Sequence, residues 1–396
     1  DMDKLGQSAT RLGGAMTAGI TVPLVAIAAT SVKTFAEFEK TMSAVEAVTG
    51  AVGEDFEKLE SLALKMGETT VFTASQAAEA MKSFGLAGFT TNEILSALQP
   101  TLNLAAAGSM DMGTAASIAA KVTRGFGIAA ADTTQAMDVL TKAFTTSNTN
   151  LVELGNAFKM VGPVAKTAGL SFEMTTAALQ ILADAGMAGS MGGRILRRAL
   201  LQLVNPAGDA AKTLKRLGVE TVTAGGRLLP FDNILKQIEP HLQDTAAMAE
   251  IFGTIAMPGM VEILGKGSDE LNRMTRALED SEGTGSRIAG VMLDNLTGAF
   301  TIFTSAVEGV QVAIGEELEP VLTFLLGAFT TVMRFVSNTV IPGFGKLEPT
   351  IKLMIGGFLA AAAAAGPLIL AFGLFAPSIV PVLSTIAALA QGLTVA

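Results

Sequence analysis

The chain has 396 residues, half of them hydrophobic and 16% charged, with a net charge of −9. That acidity argues against a protein whose main work is neutralising nucleic-acid phosphates, and the lack of cysteine excludes disulfides and thiolate metal sites. Trp and Tyr are absent and His occurs once, so the apolar content is Ala, Leu, Val, Ile, Met and Phe, a mixture that favours helix.

The first residue is Asp1, no cleavable signal peptide is visible, and the sequence reads as a processed chain or the ordered part of a longer one. Residues 1–34 form an apolar N-terminal segment. Within it Leu12 to Val32 is uncharged but broken by three glycines and Pro23, so it is either buried against a neighbour or prone to enter membranes. From Phe35 to Val204 short amphipathic helices alternate with Gly, Asn and Pro. Starts are marked by Thr73 with Gln76, Asp132 with Gln135 and Asn150 with Glu153, where each side chain can satisfy a backbone N–H of the other. Apolar residues follow at helical spacing, as in Ile94, Leu95 and Leu98, or Leu179, Leu182 and Ala183. Residues 35–218 are thus expected to be a helical core domain.

Inside it "DAGMAGSMGGRILRRALLQL", residues 184–203, interrupts one helix with glycines and opens another. Glycine permits a sharp turn and close helix approach, so a helix-to-helix corner explains the stretch without catalysis. Arg194, Arg197 and Arg198 share one face of the second helix, either as a phosphate contact or, better suited to the acidic chain, as a solvated or carboxylate-paired surface.

Residues 219–283 are expected to hold a small hairpin and further helices. "VETVTAGGRLLPF" at 219–231 is the one strand-like stretch, with Ala224, Gly225 and Gly226 at its turn. The acidic, Gly/Ser-rich run "EDSEGTGS" at 279–286 reads as a domain boundary. Beyond it, over 284–340, Leu293, Leu296, Phe300, Phe303, Val307, Val310 and Ile314 step by three and four residues, a heptad seam that asks for a partner helix. Pro320 is expected to kink or break that helix. Residues 341–396 read as hydrophobic, membrane-inserting helices: no charge occurs from Leu353 onward, and the first apolar stretch is long enough for a bilayer of about 30 Å.

Catalytic signatures are missing. His241 has no metal-ligating neighbours in its segment, "GMVEILGKGS" at 259–268 fails the phosphate-loop spacing, and no nucleophile elbow, zinc-protease or dinucleotide fingerprint occurs. The expectation is an all-α protein with a multi-helix globular core, one small β-hairpin, a long heptad-bearing helix and hydrophobic C-terminal helices. No enzyme activity, cofactor or metal is expected.

The run from "FEKTMSAVEAVTGAVGEDFEKLESLALKMGETTVFTASQAAEAMKSFGLAGF" through "LQPTLNLAAAGSMDMGTAASI" to "NTNLVELGNAFKMVGPVAKTAGLSFEMTTAALQILADAGMAGSMGGRILRRALLQL" resembles the core region of phage tail tape-measure proteins. The resemblance covers about Ala18 to Val219. Its most recognisable part is "ADAGMAGSMGGRILRR", with Gly186, Gly189, Ser190, Leu196 and Arg197 on the pattern, and "MLDNLTGAF" with "IGEELEPVL" resembles the segment downstream. The resemblance implies a structural virion protein that lies in the tail-tube lumen near the tip, sets tail length during assembly and leaves ahead of the genome. Its implied partners are further copies of itself, with three the expected number, the tail tube protein, distal tail and hub or baseplate proteins, and assembly chaperones. The host inner membrane joins them at ejection, and a weak contact with the genome DNA is allowed. The competing expectation is a membrane-active pore-former of an injection device with no ruler role.

Overall fold

Cap residues set where the helices start. The computed structural model describes residues 22–335 except Ala224, and the chain divides into two units, 1–315 and 316–396, the second described only as far as Phe335. The residues before Val22 and the whole 341–396 segment, with the membrane spans expected there, lie outside the described residues.

The first nine helices are α1 (Val22–Thr49), α2 (Glu54–Thr69), α3 (Ala74–Leu86), α4 (Thr91–Ala107), α5 (Met112–Phe126), α6 (Thr133–Thr145), α7 (Leu151–Ala168), α8 (Phe172–Asp184) and α9 (Gly189–Val204). After them come α10 (Gly208–Leu217), α11 (Phe231–Ile238), α12 (Thr245–Lys266), α13 (Ser268–Glu279), α14 (Thr284–Leu293) and α15 (Leu296–Phe335). Thr73 with Gln76 and Asn150 with Glu153 form capping boxes, and so does an unforeseen pair, Thr90 with Glu93. The expected Asp132–Gln135 box does not form. A 3-10 turn at Ala130–Asp132 takes its place, and the Gln135 side chain instead donates to the Glu279 carbonyl at 2.8 Å.

The helices stack as two layers. In one, α1, α3, α5, α7 and α9 each pack on the next, and α9 continues onto α12 and α12 onto α10. In the other, α2, α4, α6 and α8 follow the same rule and continue onto α13 and α11. A helix pair is therefore repeated. Helices α3, α5, α7 and α9 begin at Ala74, Met112, Leu151 and Gly189, a step of 38 or 39 residues each time. Caps keep the same step, at Thr73, Asp111 and Asn150. So do several helix ends: Gly127 and Gly169 turn left-handed while Ile128 and Leu170 donate back five residues to Thr123 and Ala165. Repeats of this kind bury their apolar faces against their neighbours rather than around one centre. Small residues set the spacing, with Ala77, Ala78, Ala115, Ala119, Ala157 and Ala199 all buried between layers or neighbours.

After α12 the chain turns back along the stack. Helix α13 packs on α8 and α6, and α14 on α6 and α4. The first turns of α15 reach Val71 and Ser75, at the start of α3, and then Thr34 and Phe35 on α1. A return strap thus runs the length of the repeats in the opposite direction.

Two further expectations change. No strand occurs among the described residues; 219–231 keeps a single antiparallel bridge, Val222 to Leu228. Pro320 does not end the last helix, which runs from Leu296 to Phe335. Proline removes one intrahelical donor, and here that loss falls on an exposed turn where water can satisfy the Glu316 carbonyl. The run 279–286 is held on α6 by hydrogen bonds described below. Helix α12 is long and apolar enough to cross a bilayer, but it is half buried in the stack and kinked at Gly253, as a core helix can be.

Candidate functional site

The heptad residues are presented to solvent by the same helix whose opposite face docks on the stack. Leu293 closes α14, and the remaining six begin with α15, so Asp294 and Asn295 break the seam after its first member. Leu296 is 87% exposed, Phe300 64%, Phe303 61% and Val310 57%, values far from those of core side chains. Val307 is exposed too, Ile314 and Leu293 are half-buried, and the Phe300 and Phe303 rings lie 6.5 Å apart. The row is thus an exposed apolar stripe along one side of α15.

The docked face is narrow and largely polar. The Ser305 hydroxyl donates to the Val71 carbonyl at 3.0 Å, the Ser75 N–H to Glu308 at 3.4 Å and the Thr34 hydroxyl to Gln311 at 3.0 Å. Val312 is buried, and a Cβ on Gly315 would fall 2.2 Å from that of Phe35, so only glycine allows this crossing.

The glycine-rich stretch is a corner between α8 and α9. Gly186 (φ +81°) ends α8 in a left-handed turn, and the Met187 N–H donates back to the Leu182 carbonyl at 2.8 Å. Gly189 (φ +64°) opens α9. Gly193 then lets α9 ride against α7, since a Cβ there would lie 2.3 Å from the Ala157 carbonyl oxygen. Leu196 is buried, Ser190 half-buried and Arg197 exposed. Arg194 and Arg198 share its outer face, and none of the three makes an ion pair among the described residues. The motif and the seam are therefore two separate places, one built for packing and one left open.

Sequence reasoning missed the polar centre of the strap. Asp138 on α6 is buried, and its two carboxylate oxygens accept the N–H groups of Gly283 at 2.8 Å and Gly285 at 2.6 Å, at the start of α14. Negative charge there also meets the positive end of the helix dipole. Lys142 donates to the Asp280 carbonyl at 2.7 Å, beside the Gln135 bond to Glu279. The only sequence signal was an acid inside the otherwise apolar face of "AMDVLTKAF".

Titratable groups are shifted where caps use them. The Asp111 carboxyl lies below its ordinary range because the Thr114 N–H donates to it. Glu93 lies below its range chiefly through the Thr90 N–H, with Arg124 adding to the effect. Arg124 also stacks 4.3 Å over the Phe89 ring. No group of three His, Cys, Asp or Glu residues suited to a metal occurs among the described residues, and His241 sits in a short 3-10 turn.

The sequence model of the family described as "Phage-related minor tail protein" matches residues 60–253, which run from α2 to the kink in α12. The chain is 32% identical over 325 residues to the "Tape measure protein" of Pneumococcus phage Dp-1, covering 81% of this chain and 28% of that protein. It is 34% identical over 148 residues to the "Probable tape measure protein" of Escherichia phage P2, covering 35% of this chain and 18% of that one. The chain thus spans less than a third of the length of either relative. No solved structure matches it. The family match takes in α3 to α11 with the glycine corner among them, and together with these relatives it shows that the chain belongs to the phage tail tape-measure family, a structural family of the virion tail.

Proposed function

We propose that this chain is the part of a tail tape measure in which a folded repeat stack meets the ruler, and that copies of it associate through the seam on α15. The observation that carries the reading is the exposed row Leu296, Phe300, Phe303, Val307 and Val310 on a helix of 40 residues, Leu296–Phe335. A row of that spacing is covered by the same row on neighbouring copies, with three copies the expected number. The protein then sits in the lumen of the tail tube near the tip, against the tube protein, the distal tail and the hub, after assembly chaperones have delivered it. On ejection it leaves ahead of the genome, with which it makes at most a weak contact. Its apolar C-terminal segment helps passage across the host inner membrane.

A helix adds about 1.5 Å per residue, so length is set by helical sequence and not by the stack. Inserting eight heptads after Arg334 in the full-length gene lengthens tails by about 84 Å, read by electron microscopy of many particles. Intact tails of unchanged length would remove the ruler role from this helix.

A further inference from the structure

We propose that the return strap is a releasable lace. Its departure lets the repeats come apart one pair at a time, beginning from the C-terminal side. The inference concerns the fold itself; its use, letting the stack pass through a narrow bore, rests on the tape-measure reading above.

The buried apolar residues form one contiguous cluster, yet each helix pair touches mainly its neighbours, and the stability of such a stack is a sum of pair and interface contributions that need not be lost together. Helix α5 packs on α3, α7, α4 and, lightly, α6, while α9 packs on α7, α8 and α12. Among the described contacts only the strap joins distant pairs, α13 and α14 bridging α8, α6 and α4, and α15 reaching α3 and α1. While it is in place the pairs are tied into one cooperative body.

Beyond α13, whose Leu271 and Leu278 are buried, the strap is also the least anchored part. From Thr284 onward, Ala289 and Val312 are the buried apolar side chains among the described residues, whereas α7 and α9 bury Leu154, Phe158, Val161, Ile195, Leu196 and Leu200. What holds the strap instead is polar: the Asp138 carboxylate on Gly283 and Gly285, Lys142 and Gln135 on the carbonyls before them, and Ser305, Glu308 and Gln311 farther along. Directional bonds of this kind fail over a short displacement. Elements with few buried apolar contacts are the first to open. A pull from the C-terminal side meets α15, then the Asp138 clasp, then α13, and only afterwards the stacked pairs in reverse order. A pull from the N-terminal side must break stack and strap contacts at every pair.

The test is single-molecule extension of the full chain between its two ends. The expected record is an early, low-force release of the strap, followed by steps of about 38 residues, each adding roughly 130 Å of chain at about 3.6 Å per residue less the folded span. One abrupt rip of all the described helices overturns the proposal. Asp138→Ala lowers the force of the first step alone. Hydrogen exchange of Asp138→Asn, which keeps the side-chain shape, then rises by about tenfold or more across 283–315 while α5, α7 and α9 stay protected. Uniform acceleration through all helices, or none anywhere, also overturns it. A one-step record with correctly lengthened tails in the insertion experiment would sink the lace and leave the ruler standing.

Discussion

Gly193 sits where α9 crosses α7, with the Ala157 carbonyl where a Cβ would go. Gly193→Ala must therefore push two packed helices apart, at a cost of about 2 kcal/mol, read as a lower urea midpoint. At Asp111 the effect is one of charge. Its carboxyl and that of Glu93 are both held below their ordinary values by the N–H groups they accept. The folded chain therefore binds fewer protons than the unfolded one near the carboxylate range. The stability these groups add is complete above about pH 5.5, clear of their unfolded values, and is lost as pH falls through the lowered ones. Asp111→Asn keeps an efficient cap but removes the titration. Unfolding at pH 7 then changes little, while the loss of stability between about pH 4 and pH 2 becomes shallower than in the parent chain. Equal acid sensitivity of the two would show that the cap charge does not matter.

At the scale of single helices, α15 serves two surfaces at once, one docked through Ser305, Val312 and Gly315 and one open along the heptad row. Phe300→Asp with Val307→Asp should abolish self-association, measured as mass by sedimentation. The melting of the stack should move by no more than about 0.5 kcal/mol, since both side chains are exposed. A parallel fall in stability would mean that these residues belong to the core. The three-and-four apolar spacing was legible because it needs only a count along the chain. Which face would be covered was not, because that depends on Val71, Ser75 and Thr34, all more than two hundred residues away in sequence. The hairpin was overread for a local reason. "TAGG" has the chemistry of a turn, but extending the bridge needs a partner sheet, and the neighbouring elements are helices. The Asp132 box failed because the 3-10 turn leaves Asp132 at φ −94° and ψ 2°, not in the extended backbone from which a cap side chain reaches its N–H.

For the molecule as a whole, helix content could be argued from composition and caps, yet the repeat could not. Its pairs share step and cap position but not residue identity: Thr73, Asp111 and Asn150 do one job with three side chains. The other layer steps unevenly, from Glu54 to Thr91, Thr133 and Phe172, because the 3-10 turn lengthens one connection. The strap was hidden for a different reason. Its linker looks like a flexible boundary, and only the buried Asp138 makes it a seam of fixed register.

That register has an evolutionary consequence. Open-ended repeat arrays usually gain and lose modules freely, since each new unit needs only its neighbours. Here, dropping α4 and α5 would bring α3 and α7 together and leave the returning helices about 10 Å too long for the pairs they tie. Duplication would leave them too short by the same amount. Module number and return length must change in one event or not at all, so indels should gather outside the region the strap spans.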